Sequence, residues 1–346
     1  DFGDAWHSDG SGDMHYWSVW HENKSFDNYR TVRPRFCSEF GFQSFPSTET
    51  IASYAREEDL NIASPVLEHH QRGGAAANGR ILQTMGLYFR IPEGFDNFAY
   101  LSQVQQALAI KLGTEHWRTL RPLCMGTIFW QLNDNWPVCS WASVEYGGKW
   151  KLLQHVAKRF FAPLLVSGFK TADGGFEVKA ANDFQQDAKG TLTVSFFSLD
   201  GKNLKTVKRE VKLAKASAKV IFTCKAEDVP FKPSEGFVRF ELSTDKGSAF
   251  NELALAPWKT MRLPSPKVEI KAKELADGRF EVEAAADKPA FFFSLDAKGI
   301  KGEFDTNCFA LLPGVKAKFV FEPKQKVSLK QFQTALSFRH LRMTYR

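Results

Sequence analysis

The sequence lacks a long apolar run and any leader-like segment at its start. No stretch approaches the ~20 consecutive apolar residues that a membrane-spanning helix needs, so we expect no membrane partner. No basic region followed by an apolar segment precedes the first motifs, so no signal peptide is visible. The chain starts at Asp1 without a Met, which suggests a piece of a longer protein. A secreted or periplasmic location and a cytoplasmic one both stay open.

Cysteine is also sparse and shows no useful spacing. The five cysteines are odd in number and form no CxxC pair. A disulfide framework or a zinc site needs paired thiols at regular spacing, so neither is expected. We expect most of them to be small buried side chains. They are Cys37, Cys124, Cys139, Cys224 and Cys308.

Lysine is scarce in the first half and abundant in the second. Five lysines precede residue 166 and twenty-four follow it, within a net charge of +7. The later lysines alternate with apolar residues, as in "VKREVKLAKASAKVIF", which is typical of the solvated face of strands. A nucleic-acid surface would need clustered Arg and Lys with interleaved aromatics on one element. No segment has that pattern, so a nucleic-acid partner is not expected.

Tryptophan is concentrated at the other end, with eight of nine in the first 150 residues. There "RPRFCSEFGF" and "CMGTIFWQL" predict buried strands, and "NFAYLSQVQQALAIKLGTEHWRTL" and "GKWKLLQHVAKRFFAP" predict helices. Asp96 or Asn97 would cap the first helix, and Pro163 would end the second. This alternation indicates β/α units with a parallel sheet. After about residue 166, short alternating strands separated by turn residues predict two antiparallel sandwiches, joined by "RLPSPKV" at 262–268.

Glu39 is the one carboxylate in the apolar segment "RFCSEFGFQSFPS" (35–47). Burying an unpaired carboxylate is costly, so it needs a partner or a task. One interpretation is a buried ion pair with Arg33 or Arg35, and the spacing does not decide against it. The other is a catalytic carboxylate at the C-terminal end of a barrel strand, with Gly41 allowing close approach of a ligand.

Two aromatic clusters favour the catalytic interpretation. "GDMHYWSVWH" (12–21) and "FWQLNDNWPVCSW" (129–141) combine tryptophans with amides, carboxylates and histidines. Trp faces suit the C–H face of a sugar ring, while polar groups can bind its hydroxyls. Core packing remains the commoner role of any single tryptophan, but both clusters together favour a carbohydrate site. His69 and His70 are adjacent and would face opposite ways in a strand, so they do not predict a metal site.

Longer joined motifs make the interpretation more specific: "RFCSEFGFQSFPS", "SPVLEHHQR", "YLSQVQQALAIK", "MGTIFWQLNDNWPVCSWASVEYGGKWKLLQHVAKRFFAPLL" and "GEFDTNCFALLPG". They resemble the C-terminal half of β-mannosidases of glycoside hydrolase family 2, closely over residues 12–166 and more loosely beyond. The resemblance implies a multidomain α/β plus all-β chain. Residues 1–165 would be the C-terminal part of a (β/α)8 TIM barrel, and residues 166–262 and 267–346 two immunoglobulin-like β-sandwich domains.

The resemblance implies a retaining exo-β-D-mannosidase that removes terminal non-reducing β-D-mannose from mannosides and manno-oligosaccharides. Glu39 would be the nucleophile that forms a covalent glycosyl-enzyme. Trp130 and Asn133 of "WQLND" would bind the sugar, and the peptide bond between Trp130 and Gln131 is expected to be cis. No metal or organic cofactor is implied, because carboxylates suffice for the acid–base steps.

The "GDxHYW" segment would also contribute to substrate binding through His15, Tyr16 or Trp17. In relatives a Tyr in this segment hydrogen-bonds the nucleophile, so Tyr16 is the expected partner of Glu39.

The second carboxylate of a retaining site is not found in the expected context. It should lie ~5–5.5 Å from the nucleophile, and in the family it belongs to an Asn-Glu pair well before the nucleophile. The Asn-Glu pair here, Asn251-Glu252, falls in the first sandwich, and Glu22, Glu68 and Glu145 lack the context. We therefore expect the acid/base in a missing N-terminal part of the same protein, and negligible activity of the isolated chain.

Two kinds of alternative stay open. Another family 2 specificity, such as exo-β-glucosaminidase, β-galactosidase or endo-β-mannosidase, would separate in a panel of aryl β-glycosides. A non-catalytic carbohydrate-binding protein would bind mannose-containing glycans without turnover, and Glu39→Gln would leave that binding nearly unchanged.

Overall fold

The computed structural model describes residues 9–10 and 12–346, so Trp6 lies outside the described residues. The chain divides into two compact units. The first contains the residues up to Gly41 together with Ala109–Phe129 and Ala157–Arg262. The second contains Phe42–Leu108, Trp130–Val156 and Leu263–Arg346. This division does not test the predicted domain limits at 165, 262 and 267, which stay predictions.

Seven α-helices and sixteen strands lie in the described residues. The helices are α1 (Ser18–His21), α2 (Thr48–Ile51), α3 (Pro65–His69), α4 (Ala76–Tyr88), α5 (Phe95–Arg118), α6 (Leu152–Phe160) and α7 (Leu329–Ala335). The strands are β1 (Met14–His15), β2 (Cys37–Glu39), β3 (Leu164–Lys170), β4 (Phe176–Asn182), β5 (Ala188–Ser198), β6 (Asn203–Leu213), β7 (Ser217–Cys224), β8 (Gly236–Thr244), β9 (Gly247–Ala254), β10 (Val268–Glu274), β11 (Phe280–Ala286), β12 (Ala290–Ala297), β13 (Gly302–Phe304), β14 (Phe309–Leu311), β15 (Ala317–Pro323) and β16 (Leu336–Arg339).

Both predicted helices of the first 165 residues are confirmed. The long one is α5, which already begins at Phe95, so Asp96 lies in its first turn and adds negative charge where the helix dipole favours it. The second is α6, which ends at Phe160, ahead of Pro163. None of the helices in residues 9–10 and 12–346 combines the length and the apolar character needed to cross a membrane.

In the first unit, β2 pairs in parallel with β1, and Cys37 forms a parallel bridge with Thr127. The prediction that "CMGTIFWQL" forms a buried strand is wrong. Only a single bridge forms there, and Ile128 is 57% exposed. The physical reason is that the backbone hydrogen bonds of this segment to Arg35 and Cys37 end at Ile128, and Gln131 then donates to the Trp141 carbonyl instead of continuing the ladder. Parallel pairing agrees with the predicted β/α arrangement, but the described residues contain no closed barrel.

Two antiparallel sandwiches account for the rest of the strands, as predicted. In the first unit, the sheets β3-β4-β7 and β6-β5-β8-β9 enclose a core of alternating inward side chains, among them Phe176, Phe196 and Phe240. The second unit has a second core, enclosed by the sheets β10-β11-β15-β13 and β14-β12-β16. In it, the ring of Phe332 from α7 stacks on the ring of Phe280. The five cysteines are free and buried, also as predicted.

A glycine in β3 lies directly against the ring of a core phenylalanine in the first sandwich. A Cβ at Gly168 would lie 2.3 Å from Cε2 of Phe240, whose side chain is fully buried. Close packing leaves that ring no room to move aside. The strand therefore needs a residue without a side chain here.

We expect Gly168→Ala to lower the thermal unfolding midpoint of the first unit, because overpacking a core costs about 1–3 kcal/mol. Gly79→Ala is the matched control. Gly79 lies in α4 with no atom within 4 Å of an added Cβ, so alanine should stabilise the helix by about 0.5–1 kcal/mol. Differential scanning calorimetry of both variants measures the two effects. Equal shifts of the same sign would contradict the packing argument.

In the second unit, the loop before α6 is joined to the last sandwich by charged contacts. The Lys149 ammonium lies 2.5 Å from a Glu49 oxygen and 2.8 Å from an Asp296 oxygen. The backbone N–H of Trp150 points to both carboxylate oxygens of Glu303, at 3.3 and 3.4 Å. Burial raises the pKa of Glu303 to about 7, although the positive charges of Lys324 and Lys149 act against the rise.

This raised pKa makes the stability of the second unit depend on pH. The folded state binds the Glu303 proton more tightly than the unfolded state does, so stability is highest below the unfolded pKa and falls as pH rises to about 7. Glu303→Gln cannot ionise. We expect its unfolding midpoint to fall less than that of the parent between pH 5 and 8. Calorimetry across this range tests the expectation, which fails if both proteins keep the same slope.

Candidate active site

The carboxylate of Glu39 is oriented by two side chains of the preceding segment. The indole Nε1–H of Trp17 donates a hydrogen bond of 3.0 Å to Oε2 of Glu39. Nδ1 of His15 lies 3.4 Å from the same oxygen. The Glu39 side chain keeps 28% of its surface exposed. The group is therefore held in one direction and still open to a ligand.

The backbone around Glu39 is fixed on both sides of β2. The N–H of Tyr16 donates to the Glu39 carbonyl at 2.7 Å, and Cys37 exchanges hydrogen bonds with the backbone of Gly126 and Ile128. Gly126 is required for this approach, because a Cβ there would lie 2.3 Å from the ring of Phe36. A side chain at the end of such a pinned strand has little freedom to move.

A buried aromatic cluster, formed by Tyr29, Phe40 and Trp117, follows Glu39 directly. The rings of Phe40 and Trp117 meet edge to face at 4.8 Å, and Tyr29 packs against both at 5.6–5.8 Å. All three side chains are completely buried. Phe40 therefore anchors the end of β2 one residue after the carboxylate.

The ion-pair interpretation of Glu39 is not supported. Within the described residues, no ion pair joins Glu39 to Arg33 or Arg35, and the charged partner that it does have is His15, when that ring is protonated. The expected hydrogen bond from Tyr16 is wrong as well. The Tyr16 hydroxyl donates to the backbone oxygen of Asn28 at 3.1 Å, and the side chain is buried against Tyr29 and Trp117. The one proton of the Tyr16 hydroxyl is used in the bond to Asn28. Trp17, and not Tyr16, donates the side-chain hydrogen bond to Glu39.

Trp130 and Asn133 belong to the second unit, whereas His15, Tyr16, Trp17 and Glu39 belong to the first. The peptide bond between Trp130 and Gln131 is cis, as the resemblance implied. Trp130 is 43% exposed, so its ring is free to face a ligand, and the Asn133 side chain is exposed too. Both features suit substrate binding.

The loop that follows Trp130 is stabilised by a buried acid. Asp134 accepts hydrogen bonds from Ser140 at 2.6 Å and from Gln131 at 3.3 Å, and burial raises its pKa. Lys151, which no sequence pattern singled out, has a buried ammonium that donates to the Ser44 carbonyl at 3.1 Å. Burial lowers the pKa of Lys151, and the charge of Asp134 opposes that change. A lysine in a helix-like segment gives no sequence signal of such burial.

Asn251 and Glu252 have structural roles in β9 of the first unit. The Asn251 amide donates to the carboxylate of Glu115 and to the Val166 carbonyl, both at 2.9 Å. Glu252 forms an ion pair with Arg239 of the neighbouring strand. These contacts account for the pair without any catalytic task.

The two adjacent histidines lie at the end of a helix and not in a strand. His69 is the last residue of α3, and the ring of His70 stacks on Tyr54 with 3.8 Å between centroids. Nδ1 of His70 lies 2.6 Å from the Pro137 carbonyl. In residues 9–10 and 12–346, no three His, Cys, Asp or Glu side chains gather as metal ligands would.

Family profiles match both sandwiches. The profile described as "Mannosidase Ig/CBM-like domain" matches residues 174–259, and the one described as "Ig-fold domain" matches residues 263–344. Both sandwiches are therefore immunoglobulin-like, as expected.

Known proteins resemble most of the chain. The β-mannosidase of Capra hircus is 33% identical over 95% of this chain and 40% of its own length. The crystal structure of the β-D-mannosidase from Dictyoglomus thermophilum superposes with a TM-score of 0.87 at 28% identity, over 96% of this chain and 41% of that one. The exo-chitosanase of Amycolatopsis orientalis gives 0.66 at 14% identity over 90% and 42%, which shows a shared fold alone.

The chain thus spans about 40% of the length of the curated relatives that it matches. Its fold agrees with the C-terminal portion of such multidomain proteins, with two immunoglobulin-like domains after a helical part. By these relatives and domains, the chain is homologous to the C-terminal portion of β-mannosidases.

Proposed function

We propose that this chain supplies the nucleophile side of a retaining exo-β-mannosidase, with Glu39 as the nucleophile. The observation that carries the proposal is the geometry of its carboxylate, which is partly exposed, held by the Trp17 indole N–H and fixed at the end of a parallel strand. A side chain with only a structural role would be buried or paired with a cation. The names of the relatives supply the sugar class, terminal β-mannose.

The two oxygens of Glu39 then have different tasks. Trp17 and His15 both contact Oε2, and no hydrogen bond from a described residue reaches Oε1. In the proposed first step, Oε1 bonds to the anomeric carbon as the bond to the leaving oxygen breaks, and a second carboxylic acid protonates that oxygen. Water then attacks the anomeric carbon, gives up a proton to the same residue and releases Glu39.

The second carboxylate belongs, in this proposal, to a part of the protein outside the present sequence. Asn251 and Glu252 are used in β9, and no other Asn-Glu pair is present. The partners of the chain are accordingly a β-mannoside and that further part of the same protein. Trp130 and Asn133, both exposed, are the proposed sugar contacts of the second unit.

Other specificities of family 2 are less well supported. The likeness to the exo-chitosanase concerns the fold and contributes nothing on the sugar. The non-catalytic alternative gives no reason for an indole N–H directed at a carboxylate. The specificities can be separated by measuring kcat/KM of the full-length protein on three substrates, an aryl β-mannoside, an aryl β-glucosaminide and an aryl β-galactoside.

The assignment of Glu39 as the nucleophile can be tested directly by covalent labelling. The full-length protein, incubated with a 2-deoxy-2-fluoro-β-mannosyl fluoride, should lose activity and carry the fluorosugar as an ester on Glu39, located by peptide mass spectrometry. Glu39→Gln should show neither label nor turnover, since an amide cannot displace the leaving group. Glu22→Gln, a nearby carboxylate that pairs with Lys24, is the matched control and should label normally. A label on another carboxylate would refute the assignment.

Substitutions at Trp17 and Tyr16 should have different effects on turnover. A hydrogen bond to a charged group is worth about 1.5–3 kcal/mol, so Trp17→Phe should reduce kcat of the full-length protein by about 10- to 100-fold. Tyr16→Phe removes a hydroxyl that binds Asn28 and should change kcat by less than about threefold, with a lower unfolding midpoint. Steady-state kinetics and calorimetry on both variants decide. A larger loss of kcat in Tyr16→Phe would restore the role first expected for tyrosine.

A further inference from the structure

A cavity lies in the second unit, between the loop before α6 and the last sandwich. Its volume is about 120 Å³, and it is partly open to solvent. Trp150 and His155 form one side, and Phe304, Phe338 and Glu303 belong to the sandwich side. Trp130 and Asn133 do not line it. It is therefore separate from the sugar contacts proposed above for this unit.

The charges around this cavity balance. Lys149, Lys298 and Arg339 line it, as do the acidic residues Asp96, Asp296 and Glu303. Lys149 is paired with Asp296 at 2.8 Å, and Arg339 with Asp96 at 3.1 Å. Because the charges cancel and these two cations already have partners, the cavity does not favour an anion or a cation. A neutral ligand suits it better.

Glu303 is the group whose bonding is incomplete. A carboxylate has about four acceptor sites, and the described residues supply one donor, the Trp150 N–H, at 3.3 and 3.4 Å. Those distances exceed the usual 2.9–3.0 Å of such bonds. The pKa of about 7 agrees with a carboxylate that is short of donors. Hydroxyl groups, which donate without bringing charge, would complete it.

We propose that this cavity binds a neutral polyhydroxyl ligand, namely one pyranose ring of an oligosaccharide. Two neighbouring hydroxyls donate to the Glu303 carboxylate, and the C–H face of the ring lies against Trp150. Such a combination of an aromatic face with few polar groups is typical of small-molecule sites. An apolar cavity of 150 Å³ admits benzene, so a cavity of about 120 Å³ holds part of one ring, and the rest of the oligosaccharide lies outside.

Ordered water is the competing occupant, because it could satisfy the same carboxylate. The proposal does not rest on the role of Glu39, since it concerns binding at another place. Its test should therefore measure occupancy of the cavity directly, without using turnover.

The test is ¹⁹F NMR of the full-length protein labelled with 5-fluorotryptophan and titrated with β-1,4-mannobiose. Turnover is suppressed by Glu39→Gln, and the Trp150 signal is assigned by Trp150→Phe. We expect that signal to shift and to saturate. Glu303→Gln should weaken the binding by about tenfold or more, through loss of the charged acceptor. Glu322→Gln is the matched control, because Glu322 pairs with Glu303 across the strands but is exposed, and it should leave the affinity unchanged.

Two results would overturn the inference. In one, the Trp150 signal stays still while the Trp130 signal moves, so that sugar binds only at the other site and the proposed function stands. In the other, glycerol or mannobiose shifts the Trp150 signal equally in the parent and in Glu303→Gln, so that the carboxylate plays no part. A saturable shift of Trp150 in a full-length parent protein that proves inactive would support the cavity and count against the proposed function.

Discussion

The packing of Phe40 fixes the position of the Glu39 carboxylate. Phe40 is held edge to face between Tyr29 and Trp117, in a cluster without solvent contact. A fully buried aromatic side chain contributes several kcal/mol and leaves its own backbone little freedom. The preceding residue must then project from a fixed strand end. In this way the packing of an apolar residue fixes the position of the polar side chain next to it, as a catalytic site requires.

This arrangement also explains why a glutamate stands in so apolar a segment. The hydrophobic residues around it build the support, and the carboxylate occupies the position that the support leaves open. Sequence alone identified Glu39 by that contrast. It could not exclude a partner such as Arg33, because an ion pair depends on where two long side chains meet in space. The structure provides that information by placing Trp17 and His15 at the carboxylate.

The elements predicted correctly are those with a strong period. The helices α5 and α6 and both sandwiches follow from repeated spacing over many residues, which averages out local exceptions. Single side chains are different. Tyr16 and Trp17 are adjacent, and the turn from β1 into α1 decides which of them faces Glu39. The segment 124–132 failed for another reason, because its backbone hydrogen bonds to Arg35 and Cys37 end at Ile128, and a strand needs a ladder that continues.

Buried charge in the second unit was invisible in the sequence for a related reason. Lys149, Lys151, Glu303 and Asp134 have ordinary neighbours along the chain, and only folding surrounds them with protein. Lys149 and Lys151 are nevertheless placed next to carboxylates or carbonyls, which limits the cost of removing them from water. Of the two acids, Glu303 has the poorer supply of donors, with one backbone N–H against two side-chain donors at Asp134. Because Glu303 has so few donors, its carboxylate can accept further hydrogen bonds from a ligand. Burial alone would not distinguish it in this way.

The use of tryptophan rather than tyrosine at Glu39 has a physical consequence. An indole N–H can only donate, and it stays protonated throughout the range in which proteins are stable, whereas a phenol both accepts and ionises near pH 10. The bond between Trp17 and Glu39 therefore has one fixed direction, from the indole N–H to the carboxylate. A phenol could exchange roles with the carboxyl group during the reaction. With Trp17 in place, Oε2 is the held oxygen, and Oε1 is the one left for the bond to the sugar that we propose.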